Sequence, residues 1–364
     1  MPARKLFSLT PIVAAVLMSC TTEDRNDSPN VIVIFTDDQG YADLGANGVV
    51  SDIATPHLDA LANDGVRMTS GYVTAPQCTP SRAALMTGRY QQKFNLDDNS
   101  LTPMTLDQPT MADRLQDAGY QTGIAGKWHL DIDQNSRDFD VSNTPLTVRQ
   151  EYFPDARGFD DVYVGYRNTW WTNFDIDGRT LNVGYRRNED YRLDVTTDAG
   201  LTFIDRHHDK PFFLYLPYFA PHVPMEATEE YLSRHESAPE TRRRYALAMM
   251  SAIDDGVGAI RQKLEDHNLT DNTLLFFISD NGAPLGIDLR DAPIEDNGAA
   301  WDGSLNTPWV GEKGMLTEGG IRVPYVVTWP GTLPANTVID TPVSTLDVAA
   351  TALELANADT SDLD

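Results

Sequence analysis

Two short runs, Asp37-Asp38 and Asp280-Asn281, together offer three carboxylates and one amide carbonyl, with no nitrogen or sulfur donor among them. Hard oxygen donors of that kind suit Ca²⁺, with Mg²⁺ as the alternative, far better than zinc. Ca²⁺ takes about 6 to 8 oxygens, so four side chains leave positions for a nucleophile oxygen and a substrate oxygen. Each run alone also has a plainer reading: an Asp-Asp pair can close a solvated turn or cap a helix, and Ser279-Asp280-Asn281-Gly282 is a good β-turn sequence. A third run, Cys78-Thr79-Pro80-Ser81-Arg82, holds the only cysteine beyond Cys20. Pro80 and Ser81 are helix-start residues and Gly88 is a stop, so Cys78 is expected at a helix N-terminus, with Arg82 four residues on and facing it. A thiol there is either reactive or a small hydrophobe packed in a core.

These residues need a scaffold that brings distant segments together. Four runs rich in Val, Ile, Leu and Phe read as buried strands: 31–35, 122–125, 212–216 and 274–278. They lack period-two alternation and are separated by helix-like stretches at 55–64, 81–86, 110–118, 197–207 and 241–265. That pattern predicts an α/β fold with a mostly parallel mixed central sheet and helices on both faces. Polar chemistry follows each run within a few residues: Asp37-Asp38, then Lys127-Trp128-His129, then Pro221-His222, then Asp280-Asn281. In open α/β sheets the ligand crevice lies beyond the carboxyl ends of the strands, so four segments are expected to meet at one edge. Residues 131–195 are polar and irregular and read as a long excursion over that crevice; Ala283–Pro308 reads as a second such loop.

At the N-terminus, Arg4 and Lys5 precede an apolar stretch, Ile12–Met18, too short to span a bilayer but suited to a signal-peptide core. Leu17-Met18-Ser19-Cys20 resembles the bacterial lipobox, so residues 1–20 are expected to be a lipoprotein signal peptide and 21–29 a flexible tether. A plain secretion signal is the alternative. The expectation is an exported protein, lipid-anchored in a bacterial envelope and touching the membrane only through that anchor. Residues 30–364 are then one large catalytic domain, since 364 residues at 41% hydrophobic bury a core without staples. The net charge of -26, from 54 acidic against 28 basic residues, argues against nucleic acid binding. It would also repel an anionic substrate, so any anion site must be built locally.

Cys78-Thr79-Pro80-Ser81-Arg82, continuing to Thr87-Gly88-Arg89, resembles the signature of the formylglycine-dependent sulfatases of the alkaline phosphatase superfamily. The likeness extends through Asp37-Asp38-Gln39-Gly40, Gly126-Lys127-Trp128-His129-Leu130, Pro221-His222-Val223-Pro224, Ser279-Asp280-Asn281-Gly282, and Gly311-Glu312-Lys313-Gly314 with Glu318-Gly319-Gly320-Ile321-Arg322. It implies that Cys78 is oxidised to formylglycine by a formylglycine-generating or maturase enzyme, and that residue 78 joins Asp37, Asp38, Asp280 and Asn281 around Ca²⁺. Soft sulfur would match that ion poorly, whereas an aldehyde hydrate does not. One hydrate hydroxyl would attack the sulfur of a sulfate ester, Arg82 would steady the hydrate, and Lys127 and Lys313 would hold the sulfate oxygens.

By the same resemblance His222, or Lys313, protonates the leaving alcohol, and His129 takes a proton from the second hydroxyl, which expels sulfate and restores the aldehyde. An imidazole near ~6.5 serves either role. His57, His207, His208, His235 and His267 lie outside the matching segments and read as structural. The implied substrate is a sulfated carbohydrate or an aryl sulfate. A phosphonate monoester or phosphodiester is the competing substrate class, and a non-catalytic glycan-binding relative the competing role. Trp170 and Trp171 either stack on the substrate or pack the excursion onto the core. Only residues 351–364 follow the last matching region, so the small C-terminal subdomain usual in the family is expected to be missing.

Overall fold

The computed structural model describes residues 28–238, 241–286 and 303–364. The signal peptide and most of the tether lie outside the described residues, as does the middle of the 283–308 loop. Twelve strands occur among the described residues: β1 (Asn30–Asp37), β2 (Val66–Met68), β3 (Gly71–Tyr72), β4 (Gln121–Gly126), β5 (Asp161–Tyr166) and β6 (Thr169–Phe174). They continue with β7 (Thr180–Arg187), β8 (Phe212–Pro221), β9 (Thr273–Ser279), β10 (Tyr325–Thr328), β11 (Thr337–Ile339) and β12 (Val343–Ser344). Ten form one sheet in the order β11-β2-β10-β9-β1-β8-β4-β5-β6-β7, and β3 pairs with β12. The central run β9-β1-β8-β4-β5 is parallel, flanked by antiparallel pairings of β10 on β9 and of β6 on β5.

The four strands expected from the sequence are the contiguous centre of this sheet. Their continuous apolar runs follow from burial on both faces. In β1, Val31, Val33 and Phe35 enter one core layer and Ile32 and Ile34 the other, all fully buried. The first layer is closed by the helices Cys78–Thr87, Met111–Asp117 and Leu346–Leu355, and the second by Arg192–His207 and Thr241–Asp266. Met111–Asp117 starts with a capping box in which Thr110 and Asp113 satisfy each other's backbone N–H groups.

The excursion is more ordered than its composition suggests. Within 131–195 the chain adds β5 parallel to β4 and then β6 and β7 as an antiparallel extension of the sheet, and the helix expected from Thr197 begins at Arg192. β7 is half-exposed to exposed along its length, so it carries a polar sequence and no apolar run. Trp170 is fully buried against Tyr163 and Phe219, whereas Trp171 faces the crevice beside Phe153.

One buried ion cluster ties the strand-end loops to the long helix. Arg243 places Nη1 2.8 Å and 2.9 Å from the two Asp43 oxygens, binds Asp52 through Nε and Nη2, and donates to the Gly303 carbonyl. Asp43 also accepts from Ser304 Oγ, and the Gly40 N–H donates to that same hydroxyl. Removing one partner of a buried pair strands the other, at a cost of about 3 to 5 kcal/mol. Arg243→Leu should therefore lower unfolding free energy by about that amount in urea titration, and a loss under about 1 kcal/mol would refute the clamp.

Candidate active site

All the polar groups stand beyond the carboxyl ends of four adjacent strands. Asp37 closes β1, Asp280-Asn281 follows β9, Lys127 and His129 follow β4, and His222 follows β8. Backbone bonds lock the ends together: the Asp280 N–H donates to the Thr36 carbonyl, and the His222 N–H to the Asp37 carbonyl. Asp38 and His129 have φ of 64° and 59°, a left-handed conformation uncommon outside glycine that turns the side chain back toward the crevice. Gly126, at φ 127°, packs so close to the Pro217 carbonyl that a Cβ would collide with backbone.

Cys78 begins its helix rather than preceding it, and Gly88 ends it at φ 65°. The thiol is buried, 3.3 Å from Asp37 Oδ1 and 3.3 Å from Lys313 Nζ. Arg82, one turn on, donates Nε and Nη2 to Asp280 Oδ2 at 3.1 Å and 2.6 Å and reaches Asp37 Oδ1 at 3.4 Å. Lys127 Nζ lies 2.8 Å from Asp37 Oδ2, and Lys313 Nζ 2.8 Å from Asp38 Oδ2. Every residue expected at the site is therefore present in one cluster, or, for His129 and His222, on its rim.

The electrostatics follow from this packing. Burial alone would raise Asp37, but Lys127, then His222, Arg82 and Lys313, hold its carboxyl well below the usual range. Asp280 is pushed up to about 6 by burial, against the pull of Arg82. Burial and then Asp280 drive the Cys78 thiol far up, so an unmodified Cys78 stays protonated at neutral pH. Burial pulls the lysines down, yet Asp37 for Lys127 and Asp38 for Lys313 more than offset it, so both remain charged.

Oxygens of Asp37, Asp38 and Asp280 and the Cys78 sulfur all lie within 4.8 Å of one another, in a pocket fit for a cation. Asn281 adds the clearest sign. Its Nδ2 donates to Asp38 and to the Gly282 carbonyl, while its buried Oδ1 has no donor at all. An orphaned carbonyl oxygen beside three carboxylates is what a hard divalent ion would satisfy. A second cluster, His57 with Asp254 and Asp255, has a structural account: Asp254 accepts the backbone N–H groups of His57 and Leu58 at a helix start.

Both site histidines depart from the ordinary imidazole value. His222 Nδ1 lies 2.6 Å from the Val223 carbonyl, which makes Nδ1 the protonated nitrogen and turns Nε2 toward Asp38 at 3.6 Å. Burial lowers its pKa. His129 Nε2 pairs with Asp133 Oδ2 at 3.2 Å, leaving Nδ1 buried without a partner, and burial followed by Lys127 lowers this ring to about 4. Asp133 was not singled out from the sequence, although its spacing of four from His129 was there to be read. His207, His235 and His267 bind Asp161, Ser251 and Asp205, and His208 stacks on His267, as structural histidines should. The cluster opens into a cleft of about 940 Å³ whose walls include Trp128, Trp171 and Tyr185.

The sulfatase family model matches residues 29–358. The arylsulfatase of Hemicentrotus pulcherrimus is 30% identical over 351 residues, covering 90% of this chain and 58% of that protein. The N-acetylgalactosamine-6-sulfatase of Canis lupus familiaris is 32% identical over 359 residues, covering 90% and 62%. The chain thus spans little more than half the length of these curated relatives. The crystal structure of Ps i-CgsB in complex with k-i-k-neocarrahexaose superposes with a TM-score of 0.76 at 33% identity, covering 93% of this chain and 74% of that one. Its sheet, its converging strand ends and this match over nearly all the described residues place the chain in the sulfatase family of the alkaline phosphatase superfamily.

Proposed function

We propose that this chain hydrolyses sulfate esters of a carbohydrate or aryl alcohol, using formylglycine derived from Cys78 and one Ca²⁺ held by Asp37, Asp38, Asp280, Asn281 and residue 78. The observation that carries the reading is the convergence of three carboxylates, an unpartnered amide oxygen and residue 78 on one point flanked by two lysines. When bound, the ion supplies Lewis acidity that eases deprotonation of the nucleophile and stabilises negative charge on the sulfate. Arg82, fixed on Asp280, keeps a positive charge under residue 78. Lys127 and Lys313 stay protonated and hold the sulfate oxygens, offsetting locally the repulsion from a body of charge -26.

Proton transfer is divided between the two faces of the cluster. His222 or Lys313 protonates the leaving alcohol; in the free site Lys313 already bears the proton, because burial keeps His222 neutral near pH 7. His129, neutral and with Nδ1 available, takes the proton from the second hydroxyl of residue 78. A buried, protonated thiol would be a poor nucleophile, which favours the oxidised form of residue 78. The lipobox-like segment supports export and lipid anchoring, and the Cys78 run supports a maturase as partner.

The reading is tested on protein co-expressed with a maturase. Mass spectrometry of the peptide spanning residue 78 should find formylglycine, and aryl sulfate should be cleaved faster than aryl phosphodiester. Equal or greater phosphodiester turnover, with the aldehyde present, would overturn it. Lys127→Ala should cut turnover by roughly 100- to 1000-fold, the usual loss of one preorganised donor; steady-state kinetics on aryl sulfate measure it, and a change under about tenfold would remove Lys127 from the sulfate clamp. Activity needs His129 neutral, so it should be complete above its pKa of about 4 and be lost only as pH falls through that value. The pH profile of kcat at saturating Ca²⁺, which keeps Asp280 ionised, checks this. An acid limb near the ordinary 6.5 would contradict the depression of His129 by burial and Lys127.

A further inference from the structure

The cleft continues away from residue 78 along a wall that plays no part in the chemistry above. Arg149, the last residue of the short helix Leu146–Arg149, is half-buried there, with its Nε shut off from water and without an acceptor. Its neighbours are the Phe153 ring, 5.9 Å from the guanidinium carbon, and the Tyr185 hydroxyl. It makes no ion pair with any described carboxylate. Other buried and half-buried arginines have their acceptors within the protein: Arg82, Arg206, Arg243 and Arg322 bind acids, and Arg157 and Arg244 bind backbone carbonyls. An arginine left unpaired in a cleft, in a chain with 54 acidic residues, points to a ligand that supplies its acceptors.

The surroundings narrow the ligand. Tyr185 and Tyr166 expose 45% and 51% of their surface on the same cleft, and Trp171 stands behind Tyr185 with ring centroids 5.0 Å apart. Aromatic faces of this kind suit the C–H face of a pyranose ring. Lys127 and Lys313 are committed to the scissile sulfate, so a second anion on the same substrate, in a body of net charge -26, needs another cation on the cleft wall, and Arg149 offers one. Asp131 lies within electrostatic reach of Arg149, but burial and then Asp133 push its carboxyl up to about 7, which blunts its competition.

We infer that Arg149 reads a second anionic group, a sulfate or a carboxylate, on the alcohol half of the ester, and that the preferred substrate is therefore a multiply charged oligosaccharide. This rests on the reading of the site as a sulfate ester hydrolase. The group is a specificity determinant, remote from the reacting sulfur, and its effect belongs in KM.

The test compares wild type, Arg149→Met and Arg149→Lys, all carrying the aldehyde, on four esters: an aryl monosulfate, a monosulfated disaccharide, a disulfated disaccharide and a monosulfated disaccharide bearing a uronate. Arg149→Met should raise KM about 10- to 100-fold on one or both doubly charged sugars, with kcat little changed, and leave the singly charged esters unaffected. Arg149→Lys should restore part of the loss, and the arm that suffers more identifies sulfate or carboxylate as the group read. A proportional change on all four esters, or on none, overturns the inference. Should wild type cleave no sulfate ester at all, the hydrolase reading fails by itself. Calorimetric titration of the same sugars into wild type and Arg149→Met then decides the inference, with equal affinities sinking it and a loss confined to the doubly charged sugars sustaining it.

Discussion

Three carboxylates packed within 4.8 Å of one another and away from water are the constraint that the rest of the molecule answers to. Two like charges at ~4 Å repel by about 4 kcal/mol at an effective dielectric of 20. Three such pairs approach the roughly 5 to 15 kcal/mol by which a whole domain is stable. The fold therefore cannot leave them uncompensated. Arg82 from a helix, Lys127 from a strand end and Lys313 from a distant loop each bind a different member of the trio. The charges balance in number, yet burial still pushes Asp280 up to about 6 while the cations around Asp37 hold it far down. The unmet acceptor among them is Asn281 Oδ1, the kind of oxygen a resident hard cation would satisfy.

Holding that trio requires rigidity where loops would otherwise be loose. The parallel centre of the sheet ends four strands at one edge, and the bonds from Asp280 to Thr36 and from His222 to Asp37 stitch those ends across the sheet. Beyond them, Arg192 at the head of its helix donates to the Pro224 carbonyl at 2.6 Å and reaches the His222 carbonyl at 3.4 Å, so helix packing fixes the segment that aims His222. The Arg243 cluster does the same for the turn after Asp38 through Asp43 and Ser304. Positioning here is thus carried by buried charge as much as by apolar packing.

The sequence disclosed the parts of this arrangement that obey local rules. Continuous apolar runs announced the four central strands because burial on both faces demands them, and Pro80, Ser81 and Gly88 announced the helix behind Cys78. The acids, lysines and histidines of the site were legible from motif resemblance and from their places after strands. What lay hidden depends on neighbours far away in sequence. β6 and β7 pair at the sheet's margin, where one face stays wet and the composition looks like loop. The depression of His129 comes from burial and Lys127, so the ordinary imidazole value expected for it does not hold. Arg149 appears as one more arginine in a polar stretch, and only its place on the cleft wall, half-buried and without an ion pair to a described carboxylate, sets it apart.

That absence connects the acidic surface to selectivity. In a chain of net charge -26, long-range forces disfavour any anion, so affinity for one must come from cations that are close, desolvated and not already spent on acids. Lys127 and Lys313 are bound to carboxylates in the free site, and a sulfate entering there must compete with Asp37 and Asp38 for their protons unless a cation takes over those oxygens. On the proposed reading, metal occupancy and sulfate affinity would be coupled through the same two lysines, because Asp37 and Asp38 would hold the ion and Lys127 and Lys313 would then have their N–H groups for the substrate. Arg149 stands outside this exchange, since it binds neither Asp37 nor Asp38. If both proposals hold, charge read at Arg149 would be insensitive to whether the metal site is filled, whereas affinity for the scissile sulfate would fall without the ion.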